Sequence, residues 1–257
     1  MNNYWKGKKC LVTGGNGFLG KKLVKKLIEL DADVVTFSSK EFDLRDFRQS
    51  FDIFEYSQPE IVFHLAATVG GIGATNKYAG KYFIDNALMG INVVELCHIL
   101  SVSKLVVAGS VCEYPWHTSI PMREIELWNG KPEETNAPYG IAKRSILAMQ
   151  QAYMKQYGLD SAHILQANLY GPGDDFSDET SHVIPALIKR FLHAHKNNID
   201  EVVIWGTGNP TRDFLYAEDA VEAYLLAAQY PTDPMNPINI GTGTGTSIKD
   251  VVVMISR

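Results

Sequence analysis

Tyr139 and Lys143 stand four residues apart, about one helical turn, so on a helix their side chains share a face. An ammonium beside a phenol favours the phenolate and is expected to lower the phenol from its usual value near ~10. A phenol held this way passes a proton to or from an oxygen that is being reduced or oxidised. The spacing is common and carries little alone. Its weight rises with Ser110, which follows the apolar run Lys104–Ala108. That run reads as a strand, and ligands of a parallel sheet gather at the carboxyl ends of strands. Ser110 is thereby placed to hydrogen-bond the same oxygen as Tyr139. A second constellation is Thr13-Gly14-Gly15-Asn16-Gly17-Phe18-Leu19-Gly20, between a strand pattern at 10–12 and a helical pattern at 19–30. Glycines there allow a tight turn and close approach of the backbone to a pyrophosphate, while the helix start offers unpaired N–H groups. Gly14, Asn16, Gly17, Phe18, Leu19 and Gly20 are therefore the expected phosphate-binding residues of a dinucleotide.

The cofactor is read from the next strand, 34–37. NAD sites place an acidic residue at its end, on the ribose 2′-hydroxyl. Here the strand runs into Ser38-Ser39-Lys40, and Asp33 precedes it. NADP(H) is expected in preference to NAD(H), with Ser38, Ser39 and Lys40 receiving the 2′-phosphate. Asp43 and Leu44 lie where an adenine contact is expected.

The elements that must position these residues alternate. Strand patterns at 10–12, 34–37, 61–65, 104–108 and 163–167 are separated by helical patterns at 19–30, 83–100 and 139–157. The strands are continuously apolar, the mark of a sheet covered on both faces. The expected fold is α/β: a doubly wound parallel Rossmann sheet with a smaller C-terminal substrate domain. Residues 1–171, with a returning segment near 212–241, form the dinucleotide domain; 172–211 and 242–257 form the substrate domain. The last residues carry an apolar helical pattern (Ile248, Val251, Val252, Ile255) that is expected to continue into a further segment.

Composition narrows the function. The 257 residues carry a net charge of −5, so a broad nucleic-acid-binding surface is not expected. No run of ~18 apolar residues and no apolar leader occurs, so neither a membrane span nor a signal peptide is expected. Cys10, Cys97 and Cys112 are dispersed, which suggests no disulfide framework and fits a reducing cytoplasm. His193 and His195 point apart on a helix, so no metal site is expected. Lysines 21, 22, 25 and 26 read as a solvated helix face, and His64 as packing.

Taken together, Thr13-Gly14-x-x-Gly17-x-x-Gly20, Asp43-Leu44, His64-Leu65-Ala66-Ala67, Ser110, Tyr139-x-x-x-Lys143 and Asn168-Leu169-Tyr170-Gly171-Pro172 make the chain resemble the extended short-chain dehydrogenase/reductases. A closer resemblance, to the GDP-L-fucose synthase group of 3,5-epimerase/4-reductases, rests on further pieces. They are Val69-Gly70-Gly71-Ile72, Ser110-x-Cys112-x-Tyr114-Pro115, Glu134-Thr135-Asn136, residues 181–187, Trp205-Gly206-x-Gly208 and Arg212-Asp213-Phe214-Leu215. The resemblance implies that Ser110, Tyr139 and Lys143 serve reduction and that Cys112 and His182 serve epimerisation. It implies that Leu65, Ala66, Ala67, Lys143 and His182 touch the cofactor, and that Asn168, Arg190, Trp205 and Arg212 hold a GDP-linked sugar. A homodimer built on a four-helix interface is also implied. The expected chemistry is proton exchange at the acidic carbons beside a 4-keto group, followed by reduction of that ketone; a thiol and an imidazole both titrate near neutrality. A relative acting on another 4-keto sugar, of colitose or deoxyheptose type, is the alternative.

Three departures stand out. Val111 and Glu113 replace the serine and aliphatic residue of many members, and Glu113 is expected to bear on the pKa of Cys112 or on substrate preference. Asn16 stands where an arginine often meets the 2′-phosphate.

Overall fold

The computed structural model describes residues 3–70, 75, 77–178 and 180–256. Gly71 and Ile72, cited above for the resemblance, lie outside the described residues. The chain runs β1 (Lys9–Thr13), α1 (Phe18–Glu29), β2 (Asp33–Thr36), α2 (Phe47–Ser57), β3 (Ile61–His64), α3 (Ala79–Ile99), β4 (Lys104–Ala108), α4 (Ala137–Tyr157), β5 (Ser161–Gln166), β6 (Asn168–Tyr170), α5 (Val183–Lys196), β7 (Thr211–Tyr216), α6 (Ala217–Gln229), β8 (Ile238–Ile240), β9 (Gly245–Ser247) and α7 (Ile248–Ile255). Short 3-10 turns cover Val111–Glu113 and Glu124–Glu126.

Six strands form one parallel sheet in the order β2-β1-β3-β4-β5-β8. Side chains alternate between its faces. Cys10 and Val12 of β1, Phe63 of β3 and Val106 of β4 pack with Leu23 and Leu27 of α1 and Tyr224 and Leu225 of α6. Leu11, Val62, Leu105 and Val107 pack the other way, against Phe54 of α2, Val93 and Leu96 of α3 and Ile146 of α4. Both faces are covered, which is why the strands read as unbroken apolar runs. Strand order reverses between β1 and β3, and the crevice at such a switch point is where these sheets take ligands.

A small second sheet, β6-β7-β9, sits beyond the carboxyl ends of the large one. Strand β7 pairs in parallel with β6 and antiparallel with β9. The Asp213 carboxylate draws the next loop onto it, accepting from the Thr242 N–H and hydroxyl and the Gly243 N–H at 2.7–3.0 Å.

Three element starts lie two or more residues from the sequence reading. Helix α3 begins at Ala79, not at 83, and α4 begins at Ala137 with Pro138 in its first turn, a position where its missing N–H costs nothing. Strand β5 starts at Ser161. Helix α2 was not expected at all. Its signals were Asp46, whose carboxylate caps the N–H groups of Arg48 and Gln49, and the spacing of Phe51 and Phe54.

Candidate active site

The glycine loop lies at the switch point. Gly14 has φ +70°, and a side chain there would stand 2.7 Å from the Ala66 nitrogen of the segment leaving β3. A side chain at Gly20 would stand 2.1 Å from the Gly14 carbonyl oxygen. These two glycines let the start of α1, β1 and the post-β3 segment Leu65-Ala66-Ala67 close on one another. The Thr13 hydroxyl reinforces the junction, accepting from the Ala66 N–H at 3.3 Å and bonding His64 Nδ1 at 2.9 Å. His64 is fully buried, and burial drives its pKa well below the ordinary value, so it is a neutral packing residue. Asn16 and Gly17 are exposed, while Leu19 is buried behind them. Helix α1 starts with neither a capping side chain nor an acidic residue in its first turn. Its free N–H groups therefore suit an anionic diphosphate.

The adenosine end departs from expectation. A carboxylate does stand at the end of β2: Glu41 folds back and accepts from both the N–H and the hydroxyl of Ser38, each at 2.7 Å. Ser38 is thus committed, leaving exposed Ser39 and Lys40 as the residues open to a 2′-phosphate. The Asp43 carboxylate is engaged by Arg45, which also reaches Asp85 at 3.1 Å. Leu44 is buried beneath.

The reducing side forms where β4 ends and α4 begins. Ser110 caps the 3-10 turn Val111–Glu113, its hydroxyl accepting from the Cys112 N–H at 3.1 Å. Gly140 lets the first turn of α4 press onto that turn, since a side chain at 140 would stand 2.3 Å from the Cys112 carbonyl oxygen. Tyr139 is thereby brought beside Cys112, close enough for Cys112 to bear on the ionisation of the phenol. The Lys143 ammonium donates to the Ala108 carbonyl at 2.9 Å and lies 5.8 Å from the centre of the Tyr139 ring. Burial lowers Lys143 to about 8, opposed by the Glu113 carboxylate.

The expected lowering of Tyr139 is not what the structure shows. Burial pushes the phenol well above 10, and Cys112, Glu113 and Tyr224 add to the rise. Burial dominates, and the tyrosine stays protonated. Cys112 is likewise raised, first by burial. The Ser110 hydroxyl lowers it, Glu113 raises it, and Arg212 lowers it. The thiol therefore keeps its proton near neutrality instead of sharing it freely. Glu113 bears on Cys112 as expected, but its side chain points into the core, where it is fully buried.

The outer residues are arranged more loosely. Asn168 is half-buried and donates to the Asp213 carbonyl. Arg190 stacks over Trp205 at 5.0 Å and donates to the Val203 carbonyl, and Trp205 is 84% exposed. Arg212 is exposed, with its charge felt at Cys112. His182 is exposed at the start of α5, near Asp174 and Asp175. Among the described residues no hydrogen bond joins His182 to Cys112 or Tyr139. No cluster of described residues could hold a metal ion.

Residues 10–241 match the model of the NAD dependent epimerase/dehydratase family. The chain belongs to that family. It is 35% identical to the GDP-L-fucose synthase of Escherichia coli (strain K12), over 97% of this chain and 80% of that protein. It is 31% identical to the GDP-L-colitose synthase of Yersinia pseudotuberculosis, over 97% and 81%. Among solved structures it is similar to a GDP-L-fucose synthetase from Naegleria fowleri bound to NADP (TM-score 0.86, 31% identity, 96% of this chain and 76% of that one). It is also similar to a GDP-mannoheptose C4 reductase from Campylobacter jejuni with NADP bound (TM-score 0.87, 26% identity, 99% and 85%). The Rossmann sheet and the family expected from the motifs are both borne out.

Proposed function

We propose that this chain is an NADP(H)-dependent enzyme that inverts C3 and C5 of a GDP-4-keto-6-deoxy sugar and reduces its ketone. The observation that carries the reading is the meeting of Ser110, Cys112 and Tyr139 over the buried Lys143, beside the glycine loop. The names of the relatives above support the GDP-sugar and the cofactor. A bound reduced nicotinamide supplies hydride to C4. Tyr139, held protonated by burial, gives its proton to O4, so the ketone becomes an alcohol. Lys143, anchored on the Ala108 carbonyl, keeps a positive charge beside the phenolate left behind. The Ser110 hydroxyl hydrogen-bonds O4 and steadies the enolate when a proton leaves C3 or C5. Cys112 works on the ring carbons with His182 as its partner, and His182 reaches the sugar when substrate brings α5 inward. Arg190, Trp205 and Arg212 hold the nucleotide diphosphate, Trp205 offering a face for a base and Arg212 a guanidinium for phosphate. Residues 172–211 and 242–257 serve as the substrate unit.

The similarity to the C. jejuni reductase favours one second reading, C4 reduction of a different 4-keto GDP-sugar without inversion. A panel of 4-keto nucleotide sugars with NADPH, products identified by NMR, separates the two; oxidation of NADPH with none of them overturns both. The chain pairs with a copy of itself through α3 and α4, whose Phe83, Ile84, Ile91, Ile141 and Tyr157 are exposed; light scattering checks the mass. A cytoplasmic setting agrees with three free cysteines and with the absence, among the described residues, of a helix able to cross a membrane.

A further inference from the structure

Lys143 and Arg144 are consecutive on α4 and both are buried, which strips two cations of water. Their partners are mostly neutral. Lys143 donates to the Ala108 carbonyl, and Arg144 to the carbonyls of Glu113 and Gly130. For each, Glu113 is the acidic group that opposes the loss of charge. Glu113 has not gone inward alone. Its carboxylate accepts from the Ser110 N–H at 2.8 Å and lies 3.0–3.1 Å from Nε2 of His163 on β5. On the far side, His163 Nδ1 lies 2.7 Å from Oε1 of Gln150, whose own NH2 donates to the Ala162 carbonyl. All three side chains are fully buried. Gly109 makes the room: a side chain there would stand 2.5 Å from His163 Nε2 and 2.7 Å from the Glu113 carboxylate.

Hydrogen-bond accounting assigns the protons. Gln150 offers an oxygen, so Nδ1 of His163 carries hydrogen. Nε2 then faces a carboxylate, and one proton lies between them. We infer that Glu113 is a positioning residue for the reduction: its buried side chain, locked onto His163, fixes the Ser110–Cys112 turn and is the acidic counter-group to Lys143. The inference rests on the reduction assigned above to Tyr139 and Lys143.

Other groups around the lysine do not supply that charge. His64 of β3 is buried and neutral, β4 presents only the Ala108 carbonyl, and Tyr139 of the same helix is protonated. Cys112 and Tyr224, which face Tyr139, are also raised. Glu113 raises Tyr139 and Lys143 alike, so removing its charge moves both in one direction.

Glu113→Gln is the test, because it keeps the shape. Its carbonyl oxygen still accepts from Ser110 and its NH2 donates to His163. NADPH oxidation with the turned-over 4-keto sugar is followed against pH. The alkaline limb of kcat should fall at a pH lower by about one unit, a roughly tenfold loss above the limb, with KM for the sugar unchanged. A purely structural cap would leave the limb in place, and an unmoved limb overturns the inference. Nitrogen-15 NMR of the histidine rings gives a second readout that needs no substrate. The Nε2 resonance of His163 should differ between the unaltered protein and the variant, where Nε2 meets an NH2 in place of a carboxylate oxygen; identical ring spectra also overturn it. If no 4-keto sugar is turned over, the functional reading falls and the ring spectrum alone decides the pair.

Discussion

The two sides of the site are built by different means. On the inner side Ser110, Glu113, Lys143 and Arg144 are tied to strand ends and to each other by hydrogen bonds of 2.5–3.1 Å. On the outer side His182, Arg190, Trp205 and Arg212 project from α5, β7 and the chain between them, and their few bonds go to nearby carbonyls. Oxygen chemistry at C4 demands a fixed acid, because proton transfer tolerates little misplacement. Nucleotide recognition and attack on ring carbons from two faces demand groups that can come to the substrate. The contrast supports the proposal that reduction belongs to the tightly bonded sheet edge and that epimerisation and binding belong to the more exposed outer residues.

The largest effect should come from Tyr139→Phe, which removes the proton donor and keeps the ring. Hydride transfer to the ketone should fall by ~10²-fold or more with sugar binding little changed; most of the rate surviving would mean another acid serves O4. Next is Cys112→Ser. Deuterium uptake from D₂O at C3 and C5 should slow about a hundredfold, while direct reduction of the uninverted ketone continues. Exchange at the native rate would make Cys112 a packing residue.

The two half-reactions should also part with pH. Because Cys112 is raised, its thiolate is a minority near neutrality, so exchange should climb between pH 7 and pH 9. Reduction should instead decline above about 8, where Lys143 loses its proton. Parallel profiles for both would contradict the separation. Trp205→Ala should raise KM for the nucleotide sugar about tenfold with kcat nearly constant, the scale of one lost base stack; an equal fall in kcat would place Trp205 nearer the chemistry.

The smallest effect is on stability. An unfolded imidazole takes up a proton near 6.5, whereas the buried His64 does not until far lower. The unfolded chain therefore binds more protons below pH 6.5, and stability is lost as pH falls through that range, by at most about 1.4 kcal/mol per unit. Melting curves of the protein and of His64→Gln should differ in slope there and run parallel above pH 7.

Legibility in the sequence followed the same boundary. The sheet, the glycine loop and the Ser110, Tyr139 and Lys143 trio were readable, because period, spacing and strand-end position are local signals. The sign of the Tyr139 shift was not, since it depends first on burial in the folded chain and then on the electrostatic influence of Cys112, Glu113 and Tyr224, which distant elements bring together. Glu41 was missed because a carboxylate three residues beyond Ser38 reaches it only through a turn. The role of Glu113 was out of reach for a related reason: its partner His163 is 50 residues away, and nothing local says that the two face each other. The meeting of His182 with Cys112 remains an expectation from resemblance.

The small sheet closes a loop of long range. Strand β6 meets β7 more than forty residues later, and β9 joins after a further thirty, as the Asn168–Phe214 and Asp213–Gly245 pairings record. Such pairings form only after the intervening chain has been gathered in, and they are shielded by few buried side chains. In amide hydrogen exchange the three strands should open together as one cooperative unit, well before β1, β3 and β4. Arg212 lies on that unit and Ser110 follows β4 of the large sheet, so under the proposed function a local opening would release the nucleotide and leave the reducing residues folded.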